Sequence, residues 1–337
     1  MKSKIHLLTI VAMTTILCCL NDLTFAQRAI NLQVAVSYTR LPMNPLNKEL
    51  KTYQAKIIQG DLEIPNKTAL NDQFLVLRGY EKVKENADII IEVKFNSFEI
   101  VKRDDGQRTI TNKDKTKTTK YFYTVEYTFP VSYKIMTKDG EEISAKELHS
   151  YNERLTAEFG MFISKNQLQN EYEENKGKFI RDTRKAAIQH EMAGIKMLLD
   201  NNYAYLDMTK KFGVYTGKAK KQNYDDLNAA QKDAMRAYSL MNANSDWGEI
   251  ETLLKSAIVV WEKAFLESDL NNRKARINPK ISGYVAFNLA YAYLWLNDFS
   301  NAKRYAAEVS INKKTSSTGK SQQLFITDQS ARFDANK

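Results

Sequence analysis

Apolar residues in the last third of the chain recur at steps of three and four, the spacing of one face of an α-helix. Between residues 281 and 312, two such stripes stand on either side of Asn297-Asp298. A two-residue connection allows only a tight antiparallel pair of helices. Two earlier stripes, within residues 227–265, predict a second helical hairpin that covers the first. We therefore expect stacked helical hairpins over residues 227–312.

The later pair of stripes resembles the tetratricopeptide repeat, as found in exported repeat proteins of the Bacteroidetes type. The residues that carry the resemblance are Leu289, Ala290, Tyr293, Asp298, Phe299 and Ala302. All of them except Asp298, which lies in the turn, would pack the two helices together. The chain departs from the family at Ala286, Asn297 and Ala306, where Trp, Gly and a large aromatic residue are usual. The resemblance implies irregular stacked hairpins whose surface binds another protein or a peptide.

Alternation of apolar and polar residues in the first half of the chain predicts β-strands with one buried face. Such alternation runs from Leu32 to Tyr38, from Tyr53 to Ile57, from Ile89 to Phe95 and from Tyr121 to Ile135. Apolar residues between Pro65 and Lys84 suit a helix. The order of strands and helix favours an α+β arrangement.

Three sequence features predict where these strands turn or bend. Residues 104–106 (Asp-Asp-Gly) and 138–140 (Lys-Asp-Gly) have the composition of hairpin turns. The apolar face switches near Asn96-Ser97, which predicts a bulge. Pro130 has no N–H to donate, which predicts an edge strand or a bend. We predict an α+β domain over residues 27–163, with a mostly antiparallel sheet.

The remaining segments are predicted from composition. Residues 164–210 are charged at first and then apolar at helical spacing, so they predict connecting helices that dock the sheet domain onto the repeats. Residues 211–226 contain two glycines and several lysines and predict a basic linker. Residues 313–337 are rich in Ser, Thr and Lys and predict a flexible tail.

The N-terminus has the pattern of a secretory signal peptide. Lys2 and Lys4 precede an uncharged apolar run that is too short to span a bilayer, and Ala26 provides a small residue for cleavage after position 26. Lipid attachment, the alternative, would need a small residue just before Cys18 or Cys19, but Leu17 precedes the first and Cys18 the second. Both cysteines lie within residues 1–26, so the mature chain would have neither disulfide nor thiolate chemistry. We expect export to the periplasm or the outer-membrane surroundings of a Gram-negative-type bacterium.

The charge balance favours anionic partners. The chain has 50 Lys and Arg against 40 Asp and Glu, a formal net charge of +10. Its lysines are scattered and do not alternate with stacking aromatics, so the pattern does not indicate nucleic-acid binding. The densest basic group is Lys113, Lys115, Lys117 and Lys120. These four residues are candidate contacts for an anionic polysaccharide or a lipid head group.

Motifs for catalysis or metal binding are not found in the sequence. His190-Glu191 begins like a zinc-protease motif, but Gly194 stands where the second histidine is needed. Residues 213–218 are one position short of a phosphate-binding loop. The acid pairs Asp104-Asp105 and Glu141-Glu142 each lie beside a glycine, where solvated carboxylates are usual. We predict no catalytic residue, no cofactor, no metal and no transmembrane span.

Two hypotheses follow from these patterns. In the first, the chain is a non-enzymatic cell-envelope protein that binds another envelope protein or a peptide through its helical hairpins. In the second, the basic group at residues 113–120 makes the sheet domain a binding module for an anionic envelope ligand. A third reading, a hydrolase with dispersed carboxylates, requires a deep pocket lined by several acids.

Overall fold

The computed structural model describes residues 28–218, 222–241 and 246–337. The predicted signal peptide, residues 1–26, lies outside the described residues. The described chain forms two compact units. The helical unit comprises residues 28–41 and Asp207–Lys337, and the sheet unit comprises Pro42–Leu206. With sheets concentrated in the N-terminal half and helices in the C-terminal part, the predicted α+β class is confirmed.

The elements are numbered in chain order. They are β1 (Arg28–Arg40), β2 (Thr52–Gln59), α1 (Lys67–Phe74), β3 (Glu81–Lys82), β4 (Ile89–Phe95), β5 (Glu99–Thr111), β6 (Lys117–Thr128), β7 (Val131–Thr137), β8 (Glu142–His149), β9 (Leu155–Phe162), α2 (Lys165–Asn202), β10 (Leu206–Lys218), α3 (Asp225–Leu240), α4 (Trp247–Leu266), α5 (Pro279–Trp295), α6 (Phe299–Ile311) and α7 (Ser316–Ala335).

The sheet unit contains two sheets. One has five strands in the order β3-β2-β4-β7-β8, and the other has three in the order β5-β6-β9. Strand β2 runs parallel to β3 and β4, while the β4-β7, β7-β8, β5-β6 and β6-β9 pairs are antiparallel. The prediction of a mostly antiparallel arrangement is therefore confirmed.

The chain passes from one sheet to the other at two neighbouring points, between β4 and β5 and between β6 and β7. The strand predicted over residues 121–135 is in fact two strands, β6 and β7, separated at Pro130. The bulge predicted at Asn96-Ser97 is likewise the point where the chain leaves β4 for β5. The Asn96 N–H donates to the Pro130 carbonyl at 3.2 Å, which joins the two crossing points. Because Pro130 cannot continue the ladder, it marks the bend.

One of the two predicted turns was wrong. Residues 104–106 lie within β5, where Gly106 pairs with Phe122 of β6. A Cβ atom at Gly106 would lie 2.4 Å from the Phe122 ring, so the glycine makes room for a cross-strand aromatic side chain. The turn at residues 138–140 is confirmed, with Gly140 at φ +87° and its N–H donating to the Thr137 carbonyl at 3.0 Å.

The helices of the sheet unit also differ from the predictions. Helix α1 ends at Phe74, and the buried Leu75 and Leu77 lie in the loop beyond it. The connecting helices predicted over residues 164–210 are one 38-residue helix, α2. It belongs to the sheet unit, and Tyr172 in its first half packs against Tyr123 of β6. The high charge of this half had obscured its apolar contacts.

The first strand was predicted to belong to the sheet domain, and this was wrong. Strand β1 belongs to the helical unit. It pairs with β10 in a two-stranded ribbon. Ser37 contacts Thr209 and Thr39 contacts Asp207, so numbers rise along one strand as they fall along the other, which makes the pair antiparallel. The basic linker predicted over residues 211–226 is therefore wrong. Most of this segment is β10 and the start of α3, and its lysines and glycines had hidden the strand alternation.

The predicted helical hairpins are present. Helix α3 packs on α4, α4 on α5, and α5 on α6. Trp261 of α4 is fully buried, as are Ala290 and Ala302 on the two helices of the later hairpin. The flexible tail predicted over residues 313–337 was wrong, because α7 packs along α6. A Cβ atom at Gly319 would lie 2.5 Å from the Ser310 backbone nitrogen, which shows how closely α6 and α7 approach.

The ribbon is bound to the helices by buried side chains. Asn288 of α5 accepts a hydrogen bond from the Tyr215 N–H at 3.0 Å and donates to the Tyr215 carbonyl at 2.7 Å. Gln231 of α3 donates to the Val214 carbonyl at 2.6 Å. The two bonds between Asn288 and Tyr215 are of the kind that a neighbouring strand would make, and all three bonds satisfy backbone groups of β10. Val36 of β1 and Val214 join the same core as the helices.

Candidate functional site

A cleft of about 540 Å³ opens in the helical unit, where β1 and β10 meet the helices. Its aromatic side chains come from five different elements. They are Tyr38 of β1, Trp247 of α4, Trp295 of α5, Phe299 of α6 and Phe333 of α7. Leucine and methionine side chains complete the apolar surface. A concave, largely apolar cavity with a few polar groups is the usual form of a ligand site.

Ring contacts fix most of the cleft wall. The Tyr38 and Trp295 ring centroids lie 5.2 Å apart, and those of Phe299 and Phe333 lie 5.1 Å apart. Both separations are typical of favourable aromatic pairs. Trp247 differs from the other aromatic residues of the cleft because 51% of its surface is exposed to solvent. It therefore presents a large apolar surface to solvent at the mouth of the cleft.

Polar groups in the cleft are few and mostly neutral. The Ser37 and Thr209 hydroxyl oxygens lie 3.1 Å apart, and the Thr39 hydroxyl donates to the Asp207 carboxylate at 3.2 Å. Gln329 adds an amide. Among the lining residues that the structure describes, Asp207 alone carries a charge. In a chain of net charge +10, the cleft thus favours neutral or cationic groups over anions.

The cleft wall contains two hydrogen-bond donors that a ligand could use, the Trp295 indole N–H and the Tyr38 hydroxyl. The Trp295 indole N–H is buried and has no hydrogen-bond partner among the described residues. A buried donor without a partner costs free energy, so an acceptor from a ligand or from water would satisfy it. Burial raises the pKa of Tyr38, although Arg40 opposes the shift. The Tyr38 hydroxyl therefore remains protonated and can donate.

Arg332 of α7 ties two walls of the cleft together. Its side chain is buried, donates from Nε to the Asp328 carboxylate at 2.9 Å and from Nη1 to the Leu41 carbonyl at 2.9 Å. The second bond links α7 to the end of the segment that contains β1. A charged donor on a backbone carbonyl is a strong hydrogen bond. The spacing between these walls is therefore held by a buried contact.

The residues predicted for repeat packing have different roles. Leu289, Ala290 and Ala302 are fully buried in the helix crossings. Phe299 is partly buried and lines the cleft. Tyr293 lies away from it and donates to Glu262 of α4 at 2.6 Å. Of the five predicted residues, Phe299 is thus the one that meets the cleft.

The four predicted lysines lie in the sheet unit, at the β5-β6 hairpin. Lys113 and Lys115 are in its turn, and Lys117 and Lys120 follow on β6. Because side chains alternate along a strand, Lys117 and Lys120 lie on opposite faces. The structure therefore places the four cations around the hairpin end and not on one face.

Carboxylates and histidines are dispersed. Within residues 28–218, 222–241 and 246–337, no group of three or more His, Cys, Asp or Glu side chains is arranged to hold a metal ion. Asp104 lies 2.9 Å from Lys102, and Asp105 lies 3.8 Å from Lys165 on the other face of β5. His149 lies between two glutamates, Glu153 and Glu191.

Most cleft residues were missed at the sequence level. Tyr38, Trp247, Trp295 and Phe333 share one signal, an aromatic residue at or near the end of its element. That signal is weak because aromatic residues also close ordinary cores. Their meeting depends on the pairing of β1 with β10, which lie far apart in the sequence.

Comparisons with known proteins give little further information. No protein-family model matches the chain, and no curated protein matches it. Among solved structures, the chain is similar to a minor lipoprotein from Acinetobacter baumannii, with 10% sequence identity and a TM-score of 0.21. That similarity covers 47% of this chain and 96% of the other. A TM-score this low carries no inference. No helix in the described residues has the length and apolar character needed to cross a membrane.

Proposed function

We propose that the chain is a non-enzymatic cell-envelope protein whose helical unit binds a segment of a partner protein in the aromatic cleft. The observation that carries this proposal is the cleft itself, walled by five aromatic side chains and about 540 Å³ in volume. Aromatic residues around a central pocket are the side chains that most often dominate the affinity of protein interfaces. The N-terminal signal pattern supports export.

The local geometry of the later hairpin supports a tetratricopeptide-like architecture as part of this proposal. Asn297 adopts φ 59°, a left-handed conformation that Gly, the usual residue of the family at the matching position, adopts with the least strain. The Asp298 carboxylate then accepts the Asn301 N–H at 3.0 Å and caps α6. The ribbon covers part of α3 and α5, so the partner segment would use the cleft beside the ribbon.

The lining also narrows the chemistry of the partner segment. Aromatic and aliphatic walls accept a large apolar side chain, and Asp207 at the edge accepts a hydrogen bond or a positive charge. We therefore expect a segment in which an aromatic or large aliphatic residue lies near a Lys or Arg. An acidic segment would place its carboxylates beside Asp207 without a compensating cation on the described lining.

The test compares two variants of the full chain that alter the two ends of the same helix. Trp247→Ala removes an exposed aromatic side chain from the cleft, whereas Leu266→Ala removes an 86% exposed side chain from the far end of α4. Partners captured from envelope extracts are identified, purified and titrated against each variant. We expect Trp247→Ala to weaken binding by roughly tenfold or more. Leu266→Ala should bind like the parent chain.

Equal binding by all three chains would overturn the proposal. Point variants are preferable to a deletion of residues 227–312, because those residues share one core with β1, β10 and α7. Such a deletion would unfold the helical unit and remove binding for a trivial reason. Both positions are largely exposed, so neither substitution creates a buried cavity.

A further inference from the structure

The β5-β6 hairpin extends beyond the strand that supports it. Strand β9 pairs with β6 only between Tyr121 and Tyr127. Residues 108–120, which we name the basic arm, therefore form a two-stranded ribbon with no third strand among the described residues. Nearly all residues of the arm are exposed. A two-stranded ribbon with mostly exposed residues contributes little to a core, so its side chains are available to other molecules.

The arm carries unpaired positive charge. Its cations are Arg108, Lys113, Lys115, Lys117 and Lys120, and its one anion is Asp114. Arg108 is paired with Glu158 at 2.9 Å. Within the described part of the chain, none of the four lysines forms an ion pair with a carboxylate. The lysines are thus the uncompensated charges of the arm.

The other polar groups of the turn bind one another. The Asn112 side chain donates to the Thr116 and Thr118 hydroxyl oxygens at 2.9 Å each. The Thr116 hydroxyl and N–H both donate to Asp114, at 2.7 and 3.1 Å. These bonds lower the pKa of Asp114 and direct its carboxylate into the turn. The turn is therefore preformed, and its lysines are left for a ligand.

Lys115 occupies a position where lysine is costly. Its φ is 67°, the left-handed region that Gly or Asn adopts with less strain. Its N–H donates to the Asn112 carbonyl at 3.0 Å, as the turn requires. Three-residue hairpin loops with a residue in this conformation usually place Gly there. The strained position is therefore consistent with a role for the Lys115 charge.

We propose that the basic arm binds a polyanionic polysaccharide, independently of the cleft in the helical unit. The arrangement of the cations selects a polymer over a flat membrane surface. Lys117 and Lys120 lie on opposite faces of the arm, and Lys113 and Lys115 lie at its end, so a planar surface cannot contact all four at close range. A flexible chain of uronic acids can reach both faces, and the threonine hydroxyls of the arm can bond its sugar hydroxyls.

The test uses the full chain and polygalacturonate, a polymer of galacturonic acid, in isothermal titration calorimetry over a salt series. The first variant changes Lys113, Lys115, Lys117 and Lys120 to Gln. Its control changes four other exposed lysines, Lys176, Lys178, Lys313 and Lys314, to Gln and so has the same net charge. We expect roughly tenfold or greater loss of affinity at low salt for the arm variant alone, and a shallower salt dependence.

A second variant keeps the test independent of folding defects. Lys115→Gly relieves the left-handed strain, so we expect a higher melting temperature together with weaker polygalacturonate binding. If Lys115 has only a structural role, the Lys115→Gly variant should melt at a higher temperature and bind polygalacturonate as tightly as the parent chain. That result would overturn the proposal. Equal losses in the two four-lysine variants, or an arm variant that aggregates while its soluble fraction binds normally, would also overturn it. So would binding to phosphatidylglycerol vesicles without binding to polygalacturonate.

Discussion

His149 lies at the end of β8 with a carboxylate on each side of its ring. Its Nε2 is 3.1 Å from Glu191 and its Nδ1 is 2.9 Å from Glu153. Burial lowers the pKa of His149, but the two carboxylates outweigh it and the net shift is upward. Glu191 is buried on α2. The pKa of Tyr127 is raised mainly by burial and further by the charge of Glu191. The imidazolium thus compensates a buried carboxylate.

This arrangement predicts a pH-dependent contribution to stability. The folded pKa of His149 lies above its ordinary value of 6.5, so the contribution is complete below that value and is lost as pH rises through the folded pKa. We expect His149→Gln to lower the melting temperature more at about pH 5.5 than at about pH 8.5. The measurement is thermal unfolding of both chains across this range.

His190 provides the matched control. It is exposed on α2, the helix that also carries Glu191. His190→Gln should leave the pH profile of the melting temperature unchanged. A His149→Gln penalty that is constant with pH would show that packing, and not charge, holds the histidine.

At the scale of elements, the crossing of α5 and α6 depends on small side chains. Ala290 and Ala302 are fully buried, and small side chains such as these allow two helix backbones to approach closely. Tyr293 and Tyr305 fill the space beside the crossing as a stacked pair, with ring centroids 5.7 Å apart. Both hydroxyls donate to Glu262 of α4. This shared acceptor connects the two hairpins.

Ala302→Arg should therefore destabilise the helical unit. A long charged side chain would be forced into a closed crossing, at a cost of about 1 to 3 kcal/mol or more. Chemical denaturation of the full chain measures the loss. Ala229→Arg places the same side chain at an exposed position of α3 and should have little effect. Unchanged stability of Ala302→Arg would contradict the crossing described above.

The elements that were predicted correctly are those with an uninterrupted apolar period. Helices α3, α4 and α6 show it because each buries one continuous face, and α5 is apolar enough to be buried on nearly all sides. Helix α7 does not, since its contacts use Gly319, Gln322 and Ser330 beside a single fully buried isoleucine, Ile326. Strand β10 carries its alternation on Phe212, Val214 and Thr216, between lysines and glycines. Where packing relies on small or polar residues, hydrophobic pattern alone cannot reveal the element.

At the scale of the whole molecule, the sheet unit is inserted into the helical unit. The segment Pro42–Leu206 leaves after β1 and returns directly into β10. The two ends of the insertion are close, because Thr39 and Asp207 share a hydrogen bond of 3.2 Å. This arrangement also explains why the cleft escaped prediction, since Phe299 alone was identified there. Tyr38 and Phe333 reach the same cleft only because β1 pairs with a strand on the far side of the insertion.

The insertion predicts that each unit folds alone. A chain in which a short Gly-Ser linker replaces residues 42–206 should retain the helical unit, because the linker need span only the gap between paired strands. Circular dichroism and tryptophan emission, to which Trp247, Trp261 and Trp295 contribute, check the fold and the cleft. The comparison is residues 207–337 without β1, which lose the buried Val36 and half of the ribbon. That fragment should be less stable, and equal stability would refute the assignment of β1.

The pairing of β1 with β10 also sets the order of events when the chain is made. The first strand emerges before its partner, and 167 positions separate Arg40 from Asp207. At about 5 to 20 residues per second, β1 waits on the order of 10 to 30 s before β10 has been synthesised. During that interval the sheet unit can complete its own fold, whereas the helical unit cannot begin to fold because its helices have not been synthesised. Slow folding of the insertion would therefore prolong the time for which an unpaired strand is open to association with other chains.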